Sequence, residues 1–268
     1  MNRYHFLVLG SEARQLYLAE FLRRNGHEVM TAEEYQPGYH DAVLLPIPQT
    51  AKYLKENVSK LQKGQIIYGC NFPEEQVEEC DKRGIHFIDY MKVEGVASRN
   101  AIATAEGAIA EALQEGCVSI HDSHSLVTGY GRCGEVLAEK LVSLKAHVTV
   151  LDRKSEKRSR ARAYGCQTFG FERAGSIIPD CDFIFNTVPA PVLTHELLQR
   201  VKKDVVIIDI ASRPGGTDFE FCQKNAINAK LCLGLPGKYA PKSAAKILME
   251  VIIKSIKCCH KYEITQIR

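Results

Sequence analysis

The sequence predicts an α/β fold of two doubly wound parallel-sheet domains, and three observations predict it. Short apolar strands alternate with helical stretches along both halves of the 268-residue chain. Between the halves, the small-residue-rich run Asn100 to Gln114 reads as a connecting helix. The third observation is Ser125 to Asp152, a strand, a glycine-rich turn, a helix and an acid-tipped second strand.

That last stretch organises the second half. Ser125 to Thr128 runs into Gly129, Gly131 and Gly134, spaced G-x-G-x-x-G. Val136, Leu137, Leu141 and Leu144 then recur at helix spacing, and His147 to Leu151 delivers Asp152. Each glycine has a mechanical reason: a tight turn at Gly129, close approach of a pyrophosphate at Gly131, close helix–strand packing at Gly134. Free N–H groups at the helix start then hold phosphates. The expected dinucleotide contacts are Gly129, Tyr130, Gly131, Arg132, Cys133 and Gly134 in the turn, and Asp152, Arg153 and Lys154 at the second strand tip. Thr187, Val188 and Pro189, beyond a later strand, complete them. Both domains are thus expected to be Rossmann-like, with the second binding the dinucleotide.

The first half supplies strands at residues 5 to 9 (HFLVL), around Val29, at Asp41 to Leu45, at Gln65 to Tyr68 and at His86 to Ile88. Helices fill the gaps: one through about Asn25, one from Thr50 after the loop Pro46-Ile47-Pro48, and one from Pro73-Glu74-Glu75. Its first turn, GSEARQ, is not G-x-G-x-x-G, so no second dinucleotide is expected there. Periodicity is lost between Asp89 and Asn100, which reads as a hinge. In the second half a helix follows at about Glu156 to Tyr164. Strands are then expected at Gln167 to Phe169, Asp182 to Phe185, Val205 to Asp209 and Ala229 to Leu233, and an amphipathic helix from Lys242 to Lys261 packs back on the first domain. The expected boundaries are 1–99 with helix 243–268 for the N-terminal domain, and 100–242 for the dinucleotide domain.

Composition excludes several classes. Apolar content of 45% and charged content of 25% are those of a globular protein. No apolar run approaches the ~20 residues of a membrane span, and MNRYHFLVLGSEARQ lacks the features of a signal peptide. A cytoplasmic location without membrane contact is expected. Net charge of +3 and the lack of a basic stripe with aromatics give no nucleic-acid partner. Ten cysteines are scattered without C-x-x-C, so reduced thiols are expected and no metal site, including at Cys258, Cys259 and His260. Cys133 lies at a helix N-terminus, which lowers a thiol pKa; a structural role is still favoured.

The chemistry-bearing residues sit at strand ends. Asp152 suits the ribose hydroxyls of NAD, whereas Arg153 suits a 2′-phosphate, with Lys154, Lys157 and Arg158 nearby. Arg160 and Arg162 read as a solvated helix face. Ser212, Arg213, Gly215 and Gly216 follow the strand ending at Asp209. The Arg213 fork matches a carboxylate, and Lys242, with Arg14 as alternate, is the expected second carboxylate contact. Arg213 and Lys242 are the residues expected to act on the substrate. His195 is a weaker acid–base candidate.

The stretches LGSEARQ (9 to 15), NAIATAEGAI (100 to 109), GYGRCG (129 to 134), FNTVP (185 to 189), DIASRPGGTDF (209 to 219) and GLPGKYAPKSA (234 to 244) together carry a resemblance. The chain resembles the dipicolinate synthase A-chain family, the dehydrogenase-like component of that synthase in endospore-forming bacteria. The resemblance spans essentially the whole chain, and DIASRPGG followed by GLPG-x-x-APK is its distinctive part. It implies oxidation of a dihydrodipicolinate-level precursor to pyridine-2,6-dicarboxylate (dipicolinic acid) during sporulation. NADP is the implied cofactor, with NAD the alternative. The implied partner is the flavoprotein-like second subunit of dipicolinate synthase, and a homo-oligomer is expected. Loss of one hydride and one proton on aromatisation needs no strong dedicated base, which suits a chain without an evident catalytic triad. Two other readings compete. A 2-hydroxyacid dehydrogenase pairs an arginine in the Arg213 loop with a histidine at the next strand end, and Gly234 to Lys242 contains none. A non-catalytic NAD(P) sensor would bind cofactor without turnover.

Overall fold

The computed structural model describes residues 2–31, 38–47 and 49–259. Pro48, His260, Lys261 and the side chains of Cys258 and Cys259 lie outside the described residues, and with them the Cys258, Cys259, His260 cluster. The chain divides into two compact units, Met1–Asn100 with Pro236–Arg268, and Ala101–Leu235. The stretch from Pro236 to Lys242, expected with the dinucleotide domain, lies with the first unit.

The first unit is built from β1 (His5–Val8), α1 (Ala13–Arg24), β2 (Glu28–Met30), β3 (Ala42–Leu44), α2 (Thr50–Asn57), β4 (Ile66–Gly69), α3 (Glu74–Lys82) and β5 (His86–Asp89). Its five strands are all parallel, in the order β2-β1-β3-β4-β5. Strands this apolar are buried on both faces, as parallel sheets require. Phe6, Val8, Leu44, Ile66 and Tyr68 face one core with Leu18 and Leu22 of α1. Leu7, Leu9, Val43, Leu45 and Ile67 face the other, with Leu54, Leu61 and Cys80. Alternate residues point to opposite faces, so a one-residue slip would exchange the two cores.

A 3₁₀ turn, Tyr90–Lys92, leads into α4 (Val96–Glu115), which begins four residues before the expected helix start. The last five residues of the segment expected as a hinge, 96–100, therefore already belong to α4, and the unit boundary falls inside that helix. Buried Val96 anchors the early turn, where Arg99 breaks the small-residue pattern.

The second unit continues with β6 (His124–Thr128), α5 (Arg132–Ser143), β7 (His147–Leu151), α6 (Ser155–Ala163), β8 (Gln167–Phe169), α7 (Ala174–Ile177), β9 (Phe183–Asn186), α8 (His195–Leu198), β10 (Val206–Asp209), α9 (Phe219–Lys224) and β11 (Asn228–Leu231). Six parallel strands run in the order β11-β10-β9-β6-β7-β8, the doubly wound order of dinucleotide-binding sheets. Leu126, Ile184 and Ile207 from adjacent strands meet Ile178, Leu193, Leu198 and Cys222 on one face. Truncating one such buried leucine or isoleucine to alanine costs about 2–5 kcal/mol. Two helices follow, α10 (Leu235–Tyr239) and α11 (Pro241–Cys259). Ala245, Leu248, Ile252 and Ile256 of α11 enter the first unit's core, where α11 packs against α1.

Candidate functional site

In the second sheet the chain winds one way from β6 to β8 and the other from β9 to β11, so the strand order reverses between β6 and β9. Ligands of open parallel sheets bind outside the carboxyl ends of the strands at such a point. Three apolar strands end there on a buried polar residue: Thr128, Asn186 and Asp209.

The turn after β6 has the geometry its glycines require. Gly129 has φ +86°, a region that favours glycine. A Cβ on Gly134 would stand 2.1 Å from the Gly129 carbonyl oxygen, so only glycine lets α5 approach β6 this closely. A Cβ on Gly131 would meet nothing within 4 Å. The open face at Gly131 and the free N–H groups of the first turn of α5 therefore fit a dinucleotide phosphate. Arg132 is exposed beside this opening.

The other turn residues depart from expectation. The Tyr130 side chain is buried, and its hydroxyl has no hydrogen-bond partner among the described residues. Burial pushes its phenol pKa upward, and Arg160 lies over its ring at 5.8 Å. The Tyr130 ring is thus part of the core rather than a dinucleotide contact. The Tyr130 N–H donates to Oδ2 of Asp152 at 2.8 Å, and the Lys154 N–H donates to Oδ1 at 2.8 Å. Asp152, expected to face the ribose, is 5% exposed, and Lys157 Nζ stands 3.6 Å from Oδ2. Its carboxylate is turned inward because two obligate backbone donors and a cation compete for it. Arg153 and Lys154 are left exposed at the strand tip. Arg158 donates to the carbonyls of Asp152 and Arg153, Arg160 pairs with Glu135, and Arg162 donates to Thr168. The last two are both exposed, as expected of a solvated helix face, though each has a partner. Cys133 is half-buried, and burial raises its thiol pKa, against the lowering expected at a helix N-terminus.

Beyond β9, Thr187 donates to the Thr128 carbonyl at 2.9 Å and, with Val188, covers Gly129; Pro189 is exposed. Beyond β10, Ser212 and Arg213 are exposed, whereas Gly215 and Gly216 are buried. His195 is exposed at the start of α8, 4.0 Å from Glu196, as an ordinary helix-start residue.

The remaining expected contacts belong to the first unit. Arg14 is 4% exposed; its guanidinium binds Glu12 at 2.7 Å and donates to the Ile47 carbonyl. A cation committed to these partners is not free to hold a substrate carboxylate. Lys242 is exposed at the start of α11. Among the described residues no group of three or more His, Cys, Asp and Glu could hold a metal ion.

Comparison with known proteins agrees with this geometry. The family model for the D-isomer specific 2-hydroxyacid dehydrogenase NAD binding domain matches residues 97–215. The crystal structure of the dipicolinate synthase A chain from Bacillus halodurans superposes with a TM-score of 0.84 at 30% identity, covering 94% of this chain and 97% of that one. The chain belongs to the dipicolinate synthase A-chain family. The A chain of dipicolinate synthase from Bacillus subtilis superposes with a TM-score of 0.80 at 25% identity, covering 96% and 98% of the two chains. In sequence, the dipicolinate synthase A chain of Bacillus subtilis (strain 168) is 38% identical over 159 residues. That match spans 59% of this chain and 54% of the relative, about half its length. The family match makes the second unit a nicotinamide-dinucleotide-binding domain of the dehydrogenase type.

Sequence reasoning about the site passed over the buried polar strand ends. Thr128, Asn186 and Asp209, joined by Thr217, hold the three loops together, and the signal for the first three was a polar residue closing each strand.

Proposed function

We propose that this chain oxidises a dihydrodipicolinate-level precursor to pyridine-2,6-dicarboxylate, with NADP as hydride acceptor and a flavoprotein-like second subunit as partner. The observation that carries the reading is Arg213, an exposed cation in the loop after β10, at the ligand-binding edge of the sheet. Removing a carboxylate from water without a counter-charge is costly, and the guanidinium fork pairs with it in a fixed orientation. The bound dinucleotide supplies the hydride acceptor. The chain's own work is to seat it on Gly129 to Gly134, to orient the ring through Arg213, and to let one proton leave as the ring becomes aromatic. NADP is favoured because Asp152 is turned into the backbone while Arg153 and Lys154 stay exposed at the strand tip. The relatives are each named as one component of a synthase, which supports a second one. Among the described residues no helix is long and apolar enough to cross a membrane.

The test is absorbance at 340 nm with dihydrodipicolinate and either NADP or NAD, with and without the flavoprotein-like partner. NADP-dependent reduction is expected; no reduction with either dinucleotide in the assembled complex would overturn the reading. Arg213→Ala should lower kcat/KM roughly 30- to several-thousand-fold, equivalent to ~2–5 kcal/mol, with NADP affinity nearly unchanged.

A further inference from the structure

Asp209 is a carboxylate with no exposed surface at the end of β10, and every hydrogen bond it makes comes from a neutral donor. Oδ1 accepts from Ala211 N–H at 2.9 Å. Oδ2 accepts from Gly216 N–H at 2.8 Å, from the Thr217 hydroxyl at 2.8 Å and from Asn186 Nδ2 at 2.9 Å. The Asn186 orientation is fixed independently, because its Oδ1 accepts from Val188 N–H at 3.0 Å and so must be the oxygen. The same oxygen accepts from Thr128 Oγ1. One chain of bonds thus runs from the end of β6 through the end of β9 to the loop after β10.

Two features show that the carboxylate sets this loop. Backbone N–H groups can only donate, and one approaches each oxygen, so an amide in place of the acid would face one donor with another whichever way it turned. The loop also wraps around the acid. A Cβ on Gly215 would stand 2.9 Å from Asp209 Oδ2, and one on Gly216 2.4 Å from the Ala190 carbonyl oxygen. Gly215 therefore lets the backbone close on the charge, and Gly216 lets it pack against the loop after β9.

We propose that Asp209 is a positioning residue, whose buried carboxylate, held by neutral donors from its own loop and from the end of β9, sets the loop that presents Arg213. It touches neither substrate nor cofactor and acts through that loop.

The experiment has two arms. Amide hydrogen exchange on Asp209→Asn needs no ligand. Protection at Ala211 and Gly216 should fall on the order of 10- to 100-fold, with β10 amides little changed. The activity arm rests on the proposed reaction. There Asp209→Asn should lower kcat/KM for the dicarboxylate, and adding Arg213→Ala should cause little further loss, because both changes disable one device. Thr217→Val keeps the charge and removes one donor; it should show the same pattern more weakly, and it decides the question if Asp209→Asn does not fold. Wild-type protection of both amides in a folded variant would overturn the proposal, as would losses that multiply with Arg213→Ala. A silent Arg213→Ala would sink the proposed reaction instead, and exchange alone would then judge Asp209.

Discussion

The first turns of the two sheets share a start and part at once. Gly10 and Gly129 have φ of +92° and +86° just beyond β1 and β6. In the second unit the turn is then left empty: Gly131 opens onto free space, and Gly134 brings α5 against the Gly129 carbonyl. In the first unit the same positions carry side chains. Glu12 stands where Gly131 does, and it is paired with Arg14. Gln15 stands where Gly134 does, 1% exposed, and its amide donates to the carbonyls of Leu9 at 2.8 Å and Leu44 at 3.2 Å. The guanidinium of Arg14 lies so close to Gly237 that a Cβ there would meet it at 3.3 Å. One turn is thus filled by its own side chains and the other is kept free for a ligand. Similar backbone and opposite occupancy separate a structural turn from a binding turn.

The difference can be broken from the empty side first. Gly131→Val puts a side chain where a phosphate must approach, and losing two charge-assisted backbone contacts weakens dinucleotide binding on the order of 100-fold or more. Titration by fluorescence checks it, with circular dichroism to show an unchanged fold; wild-type affinity would place the dinucleotide elsewhere. Gly134→Ala drives a Cβ into the Gly129 carbonyl, and overpacking of this kind costs about 1–3 kcal/mol, read from the denaturation midpoint. On the filled side, Gln15→Ala strands the buried Leu9 carbonyl. A loss of about 1–3 kcal/mol is expected there, with dinucleotide affinity untouched.

Smaller effects sharpen the binding side. Arg153→Ala should weaken NADP about tenfold, near the ~1.4 kcal/mol of one partly exposed charged contact, and leave NAD nearly unchanged. Equal losses for both dinucleotides would return the choice to Asp152. Burial holds the Cys133 thiol above its ordinary range, so its thiolate fraction at pH 8 is below that of a free cysteine. Alkylation by iodoacetamide should therefore be slow at pH 8 and quicken as pH rises; fast modification there would show the helix N-terminus prevailing.

The strands, their alternation with helices and the glycine-rich turn could all be read along the chain. These features depend on local periodicity and on residues that sterics single out, such as Gly129 and Gly134. The resemblance in DIASRPGG and GLPG-x-x-APK likewise lay in the sequence and pointed to the family. Tertiary structure decided which polar groups face a ligand. Asp152 reads as a ribose acceptor from its place at a strand tip, yet Tyr130 and Lys154 N–H groups claim its oxygens. Arg14 reads as a free cation beside a helix start, yet Glu12 and the Ile47 carbonyl hold it. Asp209 reads as the last residue of a strand, yet four donors converge on it, three from the loop after β10 and one from the end of β9. A residue's type and position along the chain fix what it can bond. Its partners are brought in from distant segments by packing of the strands, and a buried polar group takes whichever donors arrive because leaving it unpaired costs more.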